Sequence, residues 1–288
     1  ERSDPAGSST EGLRGEQPRR RRHSHKHRHR EQHRDPSRVL HALERIEARR
    51  PRYRPRWKPR GSSNWNLWVD VRTVRHINGN STPARFDVRA TLHFGYLDEV
   101  EEGQEPQVGF LEAQLIHRDL IPSGLEFFEV YLGDEFSEFA DLRDTVFTLE
   151  TDLLVQRQPG SCVVKPELVP SLLQNGEIDE GHLLIIHTLE VQENFRGSGF
   201  GFALIDAVFS TLLCGTPFLA LVVPCPAQFA TLEEGDEFSL DEIEVARKKL
   251  ERFFRCFGFH QLGSTNVMGL CNVFERPTLD TVCPHLVR

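Results

Sequence analysis

Polar and apolar residues alternate along three successive stretches, Leu67 to Val74, Arg85 to Gly95 and Gln107 to Ile116. A period of two marks a strand with one buried face, so the pattern predicts three consecutive strands. The acidic run Asp98 to Pro106 between the last two reads as a hairpin loop. Farther along, Leu183 to Val191 is a strand with an apolar start, and Pro217 to Val223 is a continuous apolar run that suits burial on both faces. Pro224 and Pro226 stop the second ladder abruptly. Helical spacing appears in three places. Val39, Leu40, Leu43 and Ile46 form a stripe between Ser37 and Arg50, ended by Pro51. Phe136, Phe139, Leu142 and Phe147 mark a helix over 135–150. Ile243, Ala246, Leu250, Phe253 and Phe257 recur at three or four residues, a pattern that predicts a buried stripe. Ser239 and Glu242 supply a capping box at its start, and Gly258 a left-handed cap at its end. Glu244 with Lys248, and Glu251 with Arg255, are i,i+4 ion pairs on its outer side. Two short strands, about 258–263 and 266–274, close the sheet.

Between the strand at 183–191 and a helix expected from about Phe202 lies Gln192-Glu193-Asn194-Phe195-Arg196-Gly197-Ser198-Gly199-Phe200-Gly201. Three glycines at alternating positions strip side chains from a short arc of backbone. Its N–H groups lack partners at a helix start, and the helix dipole adds positive charge there. A phosphate or diphosphate is the ligand such a turn favours. The Gly-Lys-Ser/Thr ending of a P-loop is absent, and Phe202 stands where a dinucleotide-binding turn wants its third glycine.

Charge divides the chain. Residues 1–60 hold 19 Lys/Arg and 8 Asp/Glu, a balance of +11, while the rest hold 16 and 35, a balance of −19. The first part is too charged to bury a core and reads as a disordered basic arm and linker. Residues 61–288 read as one enlarged domain. The run Arg19 to Arg30 suits a nuclear-import signal, a nucleic-acid arm, a His-tract metal site or a solvated tail leaning on the acidic domain. Adjacent fixed charges make the metal reading the weakest. Residues 51–60 alternate cations with Tyr53 and Trp57, which could stack on bases or form an extended linker packed on the domain edge. The six cysteines include no Cys-x-x-Cys pair and point to a reducing, intracellular setting, cytoplasmic or nuclear. No run is long enough to span a bilayer, so no membrane partner is expected.

The arrangement Arg196-x-x-Gly199-x-Gly201, between a strand and a helix, resembles the diphosphate loop of the GNAT superfamily of acyl-CoA N-acyltransferases. A second segment, Leu250-Glu251-Arg252-Phe253-Phe254-Arg255-Cys256-Phe257-Gly258-Phe259, is similar to that family's helix ending in Gly-Phe. Order and spacing match over about residues 65–276. The resemblance implies a mixed α/β fold, with a mostly antiparallel sheet splayed at a cofactor cleft and helices on both faces. The segment 118–181 is longer than the family's usual connection. It would shape the acceptor side, form a lid, or be an inert surface insertion.

The implied activity is acetyl transfer from acetyl-CoA to an amine: a small amine, a polyamine or a protein amine. Arg196, Gly197, Ser198, Gly199, Phe200 and Gly201 would hold the cofactor's diphosphate. Leu189, Glu190 and Val191 would offer backbone to its pantetheine arm. Arg247, Lys248 and Lys249 would add charge if they faced the cleft. An alkylamine with pKa about 10 is nearly all ammonium at neutral pH, so a base is useful. His187, a polar residue in an apolar strand, is the first candidate, against a core histidine satisfied by a carbonyl. Glu190 is the alternative base, and simple alternation puts it on the opposite face from His187. Phe254 occupies the position where many family members carry a tyrosine that protonates the leaving thiolate. That departure keeps a second reading open: a weak or inactive acetyl-CoA-binding module whose basic arm holds nucleic acid or an acidic partner. No metal ligand set is expected.

Overall fold

A short strand, β1 (Arg52–Tyr53), precedes the three alternating segments, which form β2 (Trp65–Arg75), β3 (Arg85–Tyr96) and β4 (Gln107–His117). The chain is described by a computed structural model over residues 52–55, 65–75, 84–96, 105–121, 127, 137–149, 162–169, 181–213, 216–225 and 240–271. The segments expected at 1–50, the helix at 37–50 and the capping Ser239 lie outside these residues.

Helix α1 (Ser137–Val146) runs into β5 (Phe147–Leu149), which pairs with β6 (Cys162–Val164) in a separate two-stranded sheet. The helix expected at 135–150 therefore ends earlier, at Val146. Phe147 and Thr148 leave it because a β-branched and aromatic pair favours the pleated partner offered by β6. Strand β7 (His182–Val191) leads through the glycine turn to α2 (Phe200–Leu212), two residues earlier than the spacing indicated. After it come β8 (Phe218–Val222), α3 (Leu240–Phe257), β9 (His260–Gln261) and β10 (Met268–Cys271). The last two are shorter than expected.

The result is a mixed α/β fold built on one large, mostly antiparallel sheet. Its strand order is β1-β2-β3-β4-β7-β8-β10-β9. Among the described strands only β7 and β8 run parallel, with α2 as the connection a parallel pair requires. Core residues separate by face. On the first face Leu184 and Ile186 of β7 join Val69, Phe86, Leu111 and the buried stripe of α2. Phe209 of α2 meets Phe218 edge-on at 5.1 Å and Phe257 of α3 at 5.5 Å. On the second face Leu183, Ile185, Leu219 and Leu221 pack with Leu142, Val146, Phe147, Cys162 and Leu168. The described part of 118–181 is thus core-forming rather than an inert surface insertion. Each fully buried aromatic or leucine contributes about 2 kcal/mol by leaving water.

The stripe of α3 is only partly sunk. Phe254 and Phe257 are buried, but Ile243, Ala246, Leu250 and Phe253 are half-exposed. The expected ion pairs are present, Lys248 to Glu244 at 3.3 Å and Arg255 to Glu251 at 3.6 Å. Arg247 also bonds Glu244 and Glu251.

The junction of β7 and β8 depends on one glycine. Gly181 has φ 79°, and a Cβ there would lie 2.1 Å from the Pro217 carbonyl oxygen. That oxygen accepts the His182 amide at 3.0 Å. Gly181→Ala should destabilise the fold by about 3 kcal/mol, combining left-handed strain with a displaced ladder. A denaturant midpoint within experimental scatter of the parent would remove this account.

Candidate functional site

Strand β7 has different neighbours along its length. β4 pairs with it from His182 to Val191, whereas β8 pairs with it only from His182 to Ile186. Among the described residues, no strand follows β7 on its β8 side beyond Ile186. β8 ends at Val222, and buried Pro224, which has no N–H to give, follows it. The two strands share a start, and their pairing ends at Ile186, one residue before His187.

At that level the ladder with β4 also changes register. Ile186 opposes Ala113 and Thr188 opposes Glu112, which leaves His187 as the extra residue of a bulge. The bulge corrects the expectation from simple alternation. Ahead of it, Leu183 and Ile185 face the second side, opposite Ile116 and Gln114, and His187 follows them. Beyond it, Thr188 and Glu190 oppose Glu112 and Phe110, which lie on that same side. His187 and Glu190 therefore share a face, while Leu189 and Val191 turn toward α2 and pack on its core.

Half-buried His187 is held neutral. Burial, and secondarily the Arg85 guanidinium, push its pKa down to about 4, against a weaker opposing pull from Asp87. Glu190 is exposed. Toward β2 this face carries charge pairs with exposed arginines. Arg72 bonds Asp70 at 2.7 Å, and Arg89 bonds Glu112 at 3.2 Å while lying 5.4 Å from the Phe110 ring centre.

The glycine turn begins with one 3-10 turn, Glu193–Phe195. Gly197 and Gly199 take φ 77° and 82°, the left-handed region that favours glycine. Gly199 is the N-cap of α2. No side chain caps the helix, and no acidic residue lies in its first turn. A Cβ at Gly197 would meet nothing within 4 Å, so the arc is open there. A Cβ at Gly201 would lie 3.2 Å from the Phe253 ring, so bare backbone is needed for α3 to approach. Ser198 is half-exposed and Phe200 buried; Phe200 secures the turn against Phe94 and Phe195. Arg196 is exposed, and its Nε donates to the Val191 carbonyl at 3.0 Å, which keeps its charge beside the turn. Lys248 and Lys249 are exposed on α3, and Arg247 is engaged by its two glutamates.

The structure thus brings His187, Glu190 and the glycine turn to one strand and its end. Several neighbours were not legible in the sequence. Arg85 and Asp87 reach His187 only through sheet pairing. Glu105, part of the acidic loop, has a buried carboxylate that accepts from Asn66 and from Trp68 Nε1, the latter at 3.0 Å. Phe254, by contrast, is buried against Phe253 and Phe259. The described residues include no group of three or more His, Cys, Asp or Glu placed to hold a metal, and no helix long and apolar enough to cross a membrane.

A second histidine lies at the far end of the same strand pair. His117 opposes His182, with ring centres 4.1 Å apart, and burial plus that neighbour push its pKa down to about 3. Both lowered values fall below the unfolded 6.5. Below pH 6.5 the unfolded chain binds protons that the fold refuses, so stability is intact above that value and lost as pH falls toward 4 and then 3. A loss on the order of several kcal/mol follows, at about 1.4 kcal/mol per pH unit of displacement. Urea midpoints from pH 8 to pH 4 would measure it, and a flat profile would contradict both placements. No protein-family model matches the chain, and no curated protein matches it.

Proposed function

We propose that the chain is an acyl-CoA N-acyltransferase of the GNAT type, moving the acetyl group of acetyl-CoA to an amine. The observation that carries this reading is the stretch of β7 that runs on past the end of β8, with an uncapped, glycine-lined helix start at its end. From Val191 to His187 this edge runs about 13 Å, at 3.3 Å per residue. That is a length suited to an extended pantetheine arm. The diphosphate would lie on the amides of 197–201, beside Arg196. The bound thioester would supply an activated acyl carbon near His187. There His187 would take the proton that the neutral amine sheds as it becomes an amide, and Glu190, on the same face, would steer a cationic acceptor toward the site before it gives up its charge.

The neutral state of His187 sets a condition. An ammonium of pKa about 10 would not pass its proton to an imidazole of pKa about 4. The amine must enter neutral, and its N–H becomes acidic enough for His187 only once the C–N bond has formed. Calorimetry with CoA, followed by thiol release across a panel of amines, tests the reading. No saturable binding at millimolar CoA would reject it.

Buried Phe254 favours a second reading, because a phenyl ring gives no proton to a departing thiolate. On that reading the domain binds acetyl-CoA with little or no turnover, and the basic arm holds nucleic acid or an acidic partner. CoA binding without thiol release on any amine, together with salt-sensitive RNA or DNA binding lost on deleting residues 1–50, would select it.

A further inference from the structure

Aromatic rings hold the glycine turn from behind. Phe195 precedes the arc 196–199 and Phe200 follows it, and the two rings stack with centres 5.9 Å apart. Phe94 of β3 meets both, Phe195 edge-on at 5.5 Å and Phe200 at 5.3 Å. Ring pairs at such spacings attract one another beyond the area they bury. The two ends of the arc are thus closed onto β3, with which the turn shares no ladder.

Phe94 is itself fixed. It is buried in the core on the face that carries α2, and its amide donates to the Pro106 carbonyl at 3.2 Å. There β4 bulges. Leu92 opposes Gly109 and His93 opposes Gln107, which leaves Val108 as the extra residue. Two successive carbonyls at the bulge hold the entry to the turn. Gln107 accepts from the Gln192 side-chain amide at 2.8 Å, and Val108 from the Gln192 backbone amide at 2.9 Å. The Gln192 carbonyl in turn accepts from the Phe195 amide at 2.9 Å. β3, β4 and the turn meet at this one place.

The brace matters because of what lies between its ends. Gly197 and Gly199 are left-handed, and glycine takes up that region about as readily as the ordinary one, so the arc by itself has many shapes. A ligand that needs one shape binds more weakly by the fraction of molecules that hold it. Fixing the arc in advance removes that loss.

We propose that Phe94 is a positioning residue for the diphosphate turn: by clasping Phe195 and Phe200 it keeps the arc 196–199 in its left-handed shape before the cofactor arrives. The identity of the ligand rests on the transferase reading above; the brace does not.

Phe86 is the control. It lies on the same strand and the same face, about 26 Å away, buried in the same core and edge-on to His117 at 5.2 Å. Phe94→Ala and Phe86→Ala are made in the full chain, with Phe94→Leu as a variant that keeps most of the core volume. Without ligand, hydrogen exchange is followed at the bonded amides that flank the arc, Phe195, Arg196 and Ala203. Calorimetry gives CoA affinity, and turnover of a free amine gives KM for acetyl-CoA and kcat. Both alanine variants should lower Tm by similar amounts. Only Phe94→Ala should speed exchange at the flanking amides, weaken CoA about tenfold and raise KM by a similar factor, with kcat at saturation within about twofold of the parent. Phe94→Leu should show the same shifts, smaller, at a Tm near the parent's. Equal effects on the turn in Phe86→Ala would mean general softening of the core and overturn the inference. Parental exchange and affinity in a folded Phe94 variant would overturn it too. A parent that binds no CoA rejects the transferase reading, and exchange at the flanking amides then still decides whether Phe94 braces the turn.

Discussion

Gly199→Glu is expected to weaken CoA binding at least a hundredfold, with the fold retained. Two effects add. Gly199 sits at φ 82° and ψ 4°, where a side chain costs about 1–2 kcal/mol. The new carboxylate would stand at the uncapped helix start, taking the amides as its own N-cap and repelling a diphosphate. The free variant relaxes the strained turn and binding must restore it, so both costs fall on affinity and together exceed about 2.7 kcal/mol, a hundredfold. Gly199→Ala separates the two effects. It carries the strain without the charge and should lose no more than about tenfold. Calorimetry with CoA reads both variants, and thermal unfolding shows whether each is folded. An unchanged affinity in the glutamate variant would mean that the ligand does not sit on this turn.

The second large effect concerns His187. His187→Ala should lower kcat/KM for amine acetylation about 10²–10⁴-fold, the usual range for a lost general base. CoA affinity should stay the same, because the turn lies four or more residues away. The parent's pH profile gives an independent check. With His187 neutral down to about pH 4, kcat/KM should rise about tenfold per unit from pH 6 to 9 as the neutral amine fraction grows. No break is expected near 6.5. The stability consequence has the opposite sign from the catalytic one. Removing a histidine whose protonation the fold resists should make the variant less sensitive to acid than its parent. A core histidine with no catalytic part would give the second effect without the first.

Much of the fold could be read from residue order because two short-range rules act locally. Alternation located β2, β3 and β4 to within about two residues, since each strand must sort its side chains between core and water, and an unbroken apolar run located β8, which is buried on both faces. Glycine and proline located the turns, because left-handed backbone and a missing N–H are properties of single residues. The paired charges of α3 followed from helical spacing alone.

What the sequence by itself determined, then, is the succession of strands and helices, the bare arc before α2, and the histidine that interrupts an apolar strand. Tertiary structure decided the rest. The bulge at His187 depends on two residues of β7 facing one step of β4, and so on the register of a strand more than sixty residues away. That register turned Glu190 onto the face of His187 and brought Arg85 and Asp87 beside it. Packing between distant segments also decided that the described part of 118–181 supplies a second core and that Phe253 rather than Phe254 closes on the glycine turn. Periodicity is local, whereas which face meets which is fixed only when separate segments compete for the same buried surface.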